Sequence, residues 1–131
     1  MNIPRNLRFT KTHEWFRKLN HHGVVGITDY AQQEISDIVF VELPKLNQEI
    51  EQGKAICVVE SVKAAFDVYA PVSGSVKAIN TALESDPSLV NRDPYGSGWF
   101  FEIIPNKSEQ IAGLFTSDQY QEFLQEAAHG K

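Results

Sequence analysis

The stretch at residues 52–78 reads QGKAICVVESVKAAFDVYAPVSGSVKA and contains two β-type runs that flank a short turn. The runs lie at residues 55–60 and 65–70, and Ser-Val-Lys-Ala stands between them at residues 61–64. Because adjacent runs of this kind pair as a hairpin, Lys63 is predicted to lie at the hairpin tip. An amine displayed at a tight turn is accessible to a modifying enzyme, whereas a lysine in mid-strand would not be.

Short β-type runs continue on both sides of this hairpin. They lie at residues 14–19, 23–27, 37–43, 74–80 and 99–104, and Gly or Pro separates many of them. Each short strand half-buries one face and must turn quickly, which is typical of a sandwich or barrel. The predicted fold class is therefore mainly β.

Helical spacing is predicted in two places only, at residues 28–35 and 117–128. Thr28 and Ser117 are the predicted N-caps, since a hydroxyl can accept hydrogen bonds from the first free amides of a helix. The second helix repeats apolar residues at helical spacing and should pack them on the sandwich. These residues are Tyr120, Phe123, Leu124 and Ala127.

Composition narrows the class of protein. With 131 residues and 42% hydrophobic content, the chain is predicted to form one domain over residues 1–131. The formal net charge of −5 and the pI of about 5.3 disfavour nucleic acid as a partner. No apolar run approaches the roughly 18 to 20 residues that span a bilayer, and the N-terminus lacks the apolar stretch of a secretory signal. We therefore expect a cytoplasmic protein of bacterial type that has no membrane partner. The alternative that this is a mature mitochondrial protein stays open.

Other reactive residues suggest no chemistry of their own. Cys57 is the only cysteine and lies in an apolar run, which is typical of a small buried hydrophobe. His21 and His22 have no Cys or carboxylate at ligand spacing, so no metal site is predicted. Residues 93–98 read as a turn-rich loop with a conformational role, and Trp99, Phe100 and Phe101 as packing residues.

The surroundings of Lys63 carry a family resemblance. Residues 60–65 (ESVKAA) and 67–74 (DVYAPVSG) resemble the attachment site of glycine cleavage H proteins. Four further blocks resemble signatures of that family in the same order, namely residues 10–15 (TKTHEW), 25–32 (VGITDYAQ), 37–44 (DIVFVELP) and 91–99 (NRDPYGSGW). The similarity covers about residues 8–126. It implies a barrel-sandwich hybrid of two antiparallel sheets, like lipoyl and biotinyl carriers, with short peripheral helices and a C-terminal helix.

The resemblance also implies a function. Lys63 would carry lipoate in amide linkage, attached by a lipoate-protein ligase or a lipoyl or octanoyl transferase. The protein would be a non-catalytic, monomeric carrier that takes an aminomethyl group from a pyridoxal-phosphate glycine decarboxylase to a tetrahydrofolate-dependent aminomethyltransferase. Dihydrolipoyl dehydrogenase would then receive the electrons. No side chain of this chain would act as a catalyst.

Four residues are candidates for recognising the arm or lining its cleft. Glu60 and Asp67 stand three residues before and four after Lys63 and could identify this lysine to the modifying enzyme, or simply keep the tip solvated. By resemblance, Glu14 and Asp67, together with the Thr12 hydroxyl, would line a cleft that shields a protonated methylamine from water.

One position departs from the family pattern. Phe66 stands where a small residue such as Ser is expected in many members. It is predicted to be an exposed aromatic that alters contact with partners.

The same residues bear on alternative functions. A biotin carrier normally places its lysine between methionines, whereas Val62 and Ala64 flank Lys63 here. A lipoyl domain of a 2-oxoacid dehydrogenase would continue into a linker and a catalytic core. An H-like relay of lipoate or octanoate stays open, because the sequence does not separate it from glycine cleavage. The complete attachment-site sequence around Lys63 disfavours an unmodified interaction module. The lack of a recognisable set of catalytic residues disfavours an autonomous enzyme.

Overall fold

The computed structural model describes residues 2–129, so Met1, Gly130 and Lys131 of the predicted domain lie outside the described residues. The strands found in that part of the chain are β1 (Arg8–Phe9), β2 (Glu14–Lys18), β3 (Gly23–Ile27), β4 (Ile38–Glu42), β5 (Glu49–Ile50), β6 (Ala55–Ser61), β7 (Ala65–Tyr69), β8 (Gly74–Ile79) and β9 (Phe101–Pro105). They form a six-stranded sheet in the order β1-β2-β3-β9-β8-β5 and a three-stranded sheet in the order β4-β6-β7. All pairings are antiparallel, which confirms the predicted fold class.

Alternation along the strands builds two hydrophobic clusters. On β2, Phe16 points into the main core, which also contains Val59 of β6 and Val68 of β7. The neighbouring Trp15 points to the opposite face and packs in a second cluster with Tyr120. Each large apolar side chain buried in this way stabilises the fold by roughly 1.5–3 kcal/mol. The six-stranded sheet is therefore covered on both faces.

The helices are peripheral and mostly short. They are α1 (Asp29–Ile35), α2 (Ala82–Ser85), α3 (Leu89–Arg92), α4 (Glu109–Ala112) and α5 (Ser117–His129). Thr28 caps α1 as predicted, since its Oγ1 accepts a hydrogen bond of 3.1 Å from the Ala31 amide. No described helix is long and apolar enough to cross a membrane.

The predicted cap of the C-terminal helix is wrong by one residue. Thr116, not Ser117, holds the first turn, because its Oγ1 accepts from the Gln119 amide at 3.2 Å. Gln119 reciprocates through Oε1, which accepts from the Thr116 amide at 2.9 Å. This reciprocal pair is a capping box, so the polar side chain three residues further on decides where α5 begins.

The apolar stripe of α5 packs as predicted except at its end. Tyr120 is buried, and Phe123 and Leu124 pack partly buried against the second cluster. Ala127 is exposed, as are the residues around it in the last turns of α5. Stabilisation of α5 by packing is therefore concentrated in its first two turns.

Two predictions about packing have opposite outcomes. Phe100 and Phe101 lie in the main core and Trp99 packs partly buried in the second cluster, which confirms their structural role. The prediction for Phe66 is wrong, because it pairs with Val59 on the inner face of its sheet and packs partly buried against the main core. It shares this face with the buried Val68, since residues two apart on a strand point the same way.

The loop at residues 93–98 has the predicted conformational role. The Trp15 indole donates to the Pro94 carbonyl at 2.9 Å, and the Asn80 side-chain amide donates to the Ser97 carbonyl at 2.8 Å. These bonds satisfy backbone groups that a loop would otherwise leave to water. The loop thereby ties the start of β9 to β2 and to the end of β8.

Candidate functional site

Lys63 lies at the exposed tip of the β6–β7 hairpin, which confirms the predicted placement. The last ladder pair before the turn is Glu60 opposite Ala65. Among residues 2–129, the salt bridges do not include the Lys63 ammonium. The amine therefore has no ion pair to break when it reacts with an external group.

Ser61 organises the turn, a role that the sequence prediction missed. Its side chain is only 8% exposed, and its Oγ accepts hydrogen bonds of 3.2 Å from both the Lys63 and Ala64 amides. The Ser61 amide donates to the Ala64 carbonyl at 2.8 Å. No residue at 61–64 adopts a left-handed φ, so this turn needs no glycine. The serine itself could have predicted this role, because a serine hydroxyl readily accepts hydrogen bonds from the amides two and three residues later in the chain.

Glu60 and Asp67 lie on the outer face of the three-stranded sheet. Glu60 pairs laterally with Phe40, and Asp67 pairs with Val58, which in turn pairs with Glu42. Both acids are exposed. They are placed where an enzyme that approaches Lys63 along this face would meet them.

Glu14 is in a different setting, since it is only 1% exposed. It begins β2 and shares a face with Phe16, so its side chain points between the two sheets. Its Oε1 accepts from the Thr10 and Thr12 hydroxyls at 2.5 Å and 2.6 Å, and its Oε2 accepts from the Tyr69 amide at 3.0 Å. The carboxylate thereby joins the six-stranded sheet to β7 of the hairpin.

Burial raises the pKa of Glu14, because desolvation disfavours the charged form. The two threonine hydroxyls and the Tyr69 and Glu14 amides act in the opposite direction, since they donate to the carboxylate. Thr12 itself is exposed. Glu14 therefore lies directly beneath the surface, with the Thr12 hydroxyl between it and solvent.

The structure brings only part of the predicted cleft together. Glu14 and Thr12 are in contact, whereas Asp67 lies on the outer face of the hairpin. A groove of about 210 Å³ runs beside Asp67, and its lining does not include Glu14 or Thr12. Tyr69, two residues after Asp67, is the point at which β7 meets Glu14.

A hydrogen-bonded chain that the sequence prediction missed holds the loop before Glu14. His13 has a left-handed φ of 75° and its Nδ1 lies 2.8 Å from the Tyr120 hydroxyl. That hydroxyl lies 2.9 Å from Oγ1 of Thr28, the cap of α1. Burial lowers the pKa of His13, which favours the neutral ring in this contact. The loop that presents Thr12 and Glu14 is thus fixed to both α5 and α1.

Possible metal and thiol chemistry is limited in the described structure. Residues 2–129 contain no group of three or more His, Cys, Asp or Glu side chains placed to hold a metal ion. Cys57 is buried in the main core, as predicted, and burial raises the pKa of its thiol.

Comparisons with known proteins agree with this arrangement. The family model described as glycine cleavage H-protein matches residues 7–127. The glycine cleavage system H protein of a Thermus thermophilus strain is 48% identical over 128 residues, which cover 98% of this chain and all of that protein. The corresponding protein of Psychrobacter cryohalolentis is 52% identical over 94% of this chain and 98% of its own.

Structural comparison gives the same family. The crystal structure of a glycine cleavage system H protein from Mycobacterium marinum matches with a TM-score of 0.84 and 33% identity. The match covers 92% of this chain and 97% of that chain. By sequence and by fold, the chain belongs to the glycine cleavage H-protein family.

Proposed function

We propose that the protein carries lipoate in amide linkage on Lys63 and serves as the lipoyl carrier of the glycine cleavage system. The observation that carries this proposal is the placement of Lys63, whose exposed amine stands at the tip of a turn closed by Ser61. Membership of the H-protein family supports the same function. In this function the protein is a carrier subunit rather than an enzyme.

The proposed partners follow from that function. Bound lipoate supplies a dithiolane that can take up an aminomethyl group and two electrons. The protein presents it in turn to glycine decarboxylase, aminomethyltransferase and dihydrolipoyl dehydrogenase, and a lipoate-protein ligase or a lipoyl or octanoyl transferase attaches it. Glu60 and Asp67 are proposed to mark Lys63 for that attachment, because both are exposed on the face that borders the tip.

We also propose a role for the Thr12–Glu14 pair during aminomethyl transfer. A methylamine is protonated at neutral pH, and its ammonium needs acceptors. The exposed Thr12 hydroxyl can accept from the ammonium while it donates to Glu14 Oε1 at 2.6 Å. Glu14 then supplies negative charge from beneath the surface, where water is excluded. Asp67 lies on the outer face of the hairpin, apart from this pair, and has no part in this proposal.

The carrier proposal is tested by intact mass and peptide mapping after expression with lipoate and a lipoate-protein ligase. A single lipoyl adduct is expected on Lys63 of the wild type, and none on Lys63→Arg. The matched control is Lys54→Arg, which changes an exposed lysine just before the other end of β6 and should keep the adduct. An unmodified wild type would contradict the proposal, and biotin on Lys63 would place the protein among the biotin carriers. Glycine decarboxylase assays of the loaded protein then distinguish a shuttle from a lipoate relay.

The Thr12–Glu14 proposal is tested on the aminomethyl-loaded protein in isolation. Glu14→Gln keeps the side-chain size but removes the charge, so ammonia release is expected to accelerate while lipoylation of Lys63 stays unchanged. Glu84→Gln, which alters an exposed acid on α2 that has no proposed role in lipoylation, serves as the comparison. An unchanged lifetime of the loaded Glu14→Gln protein would reject the role of Glu14.

A further inference from the structure

Three large apolar side chains near Lys63 are exposed to solvent. Val62 is 72% exposed, Val39 is 52% exposed and Phe40 is 49% exposed. Isolated apolar residues on a surface are ordinary, but a cluster beside a functional group indicates an interaction site. These three belong to two chain segments that the fold brings together next to one lysine.

Strand register explains why Phe40 faces outward. Ile38 pairs with Ser61 and Val41 pairs with Val59, and all four of these side chains are buried. Phe40 pairs with Glu60 and therefore points to the opposite, outer face. An irregularity between Ile38 and Phe40 leaves Val39 as an extra, exposed residue. Both apolar residues thus lie one ladder step from the turn that carries Lys63.

The charged side chains of β4, β6 and β7 on this outer face are all acidic. Glu42, Glu60 and Asp67 are exposed on the outer side of the three-stranded sheet, and β4, β6 and β7 contain no Lys or Arg. We define the tip face as these three acids with the three apolar residues Val39, Phe40 and Val62. Its complement is an apolar pocket with basic side chains around it.

We propose that the tip face is the docking surface for the enzyme that acylates Lys63, and that this enzyme presents an apolar pocket within a basic rim. The proposal rests on the proposed function of Lys63. It favours the acylating enzyme over the later partners because acylation occurs at the Lys63 amine itself, one side chain from the turn. The later partners act at the far end of the attached group, so they need not approach β4 as closely.

The reaction that this docking serves is a simple acyl transfer. The deprotonated Lys63 amine attacks the carboxyl carbon of a lipoyl adenylate, and a C–N bond forms. The bond from that carbon to the AMP oxygen breaks, AMP leaves with the electron pair, and the amine proton passes to solvent. Within the enzyme the adenylate forms from lipoate and ATP, as the lipoate carboxylate attacks the α-phosphate and pyrophosphate leaves.

The test measures steady-state lipoylation of the whole apo protein by a purified lipoate-protein ligase with ATP and lipoate. Phe40→Ala is expected to raise KM about tenfold with little change in kcat, as for a central apolar anchor. The matched control is Ile104→Ala, which truncates a side chain that is 45% exposed on β9 of the other sheet and should leave KM unchanged. Both side chains are exposed, so both variants are expected to fold.

The charge component is tested by salt. Added NaCl should raise KM for the wild type, because it screens attraction between the acidic tip face and the basic rim. Glu42→Gln should weaken this salt dependence, whereas Glu84→Gln on α2 should not. Parallel salt profiles for all three proteins would contradict the basic rim.

The other outcomes identify what fails. If the wild type is lipoylated on Lys63 and Phe40→Ala has the same KM, the proposed docking surface is wrong but the proposed function is not. If the wild type stays unmodified, the proposed function is wrong as well. If Phe40→Ala impairs only the glycine decarboxylase reaction, the face belongs to a later partner and the proposal is wrong. A concentration-dependent dimer that Phe40→Ala abolishes, with unchanged lipoylation, would assign the face to a second copy of the chain.

Discussion

The two ends of β7 meet two very different polar sites. At Ala65 the strand leaves the tip turn, whose hydrogen bonds stay within residues 61–64 and whose lysine is exposed. At Tyr69 it meets Glu14, a buried carboxylate bonded to side chains of the preceding loop and to the backbone of another sheet. A site whose hydrogen bonds stay within one turn can be modified without disturbing the core. A site whose hydrogen bonds join distant segments cannot.

The largest expected effect is a loss of stability when the Glu14 site is removed. Glu14→Ala is expected to lower the free energy of unfolding by about 2–4 kcal/mol, because it leaves the Tyr69 amide and two threonine hydroxyls without their acceptor. Urea denaturation monitored by tryptophan fluorescence measures the change. The control, Glu60→Ala, removes an exposed acid beside the tip and should change stability by less than about 0.5 kcal/mol. Equal losses in the two variants would contradict the distinction.

A smaller effect is expected when the turn is loosened. Ser61→Ala removes the acceptor of the Lys63 and Ala64 amides and should cost about 1 kcal/mol of stability. It should also lower kcat/KM for lipoylation about three- to tenfold, since the lysine is no longer held in one orientation. Ser61→Thr keeps the hydroxyl and should recover most of the rate, and Ser75→Ala on β8 should have no effect on it. Loss of stability with an unchanged rate would limit Ser61 to a structural role.

The smallest expected effect is a pH dependence of the Glu14 site. Burial raises the pKa of Glu14 above its ordinary 4.5, so the folded state binds the proton more tightly than the unfolded state does. The resulting stabilisation is fully present below pH 4.5 and is lost as the pH rises through the folded-state pKa. The free energy of unfolding of the wild type, relative to Glu14→Gln, should therefore increase as the pH falls toward 4.5. A constant difference across this range would contradict the raised pKa.

The sequence predicted the strands around Lys63 well because their signals are local. Alternating β-type runs beside a four-residue turn are sufficient to predict a hairpin, and Thr28 was correctly placed as a cap. Two-residue strands such as β1 and β5, and one-turn helices such as α2 and α3, were missed because they are too short to show periodicity.

The errors concern which way side chains point. Phe66 was expected to be exposed, yet strand register turns it inward, while Phe40, which drew no attention in the sequence, is the exposed aromatic beside the tip. The contact of Glu14 with the Tyr69 amide joins residues 55 positions apart, and periodicity within one segment holds no information on such a contact. Family resemblance implied that Glu14 and Thr12 line one shielded cleft; the structure places the two in contact and buries Glu14, and their role there stays a prediction.

The bond from Glu14 to Tyr69 has a further consequence for solubility. β7 is an edge strand of its sheet, and unpaired amides along an edge can recruit a strand from another molecule and start aggregation. Here the Tyr69 amide is already occupied by a carboxylate of the same chain. An incoming strand would have to displace that acid and leave it without its partner in a buried position. Glu14 thus hinders intermolecular strand pairing at the base of the hairpin, whereas the tip remains accessible to other proteins.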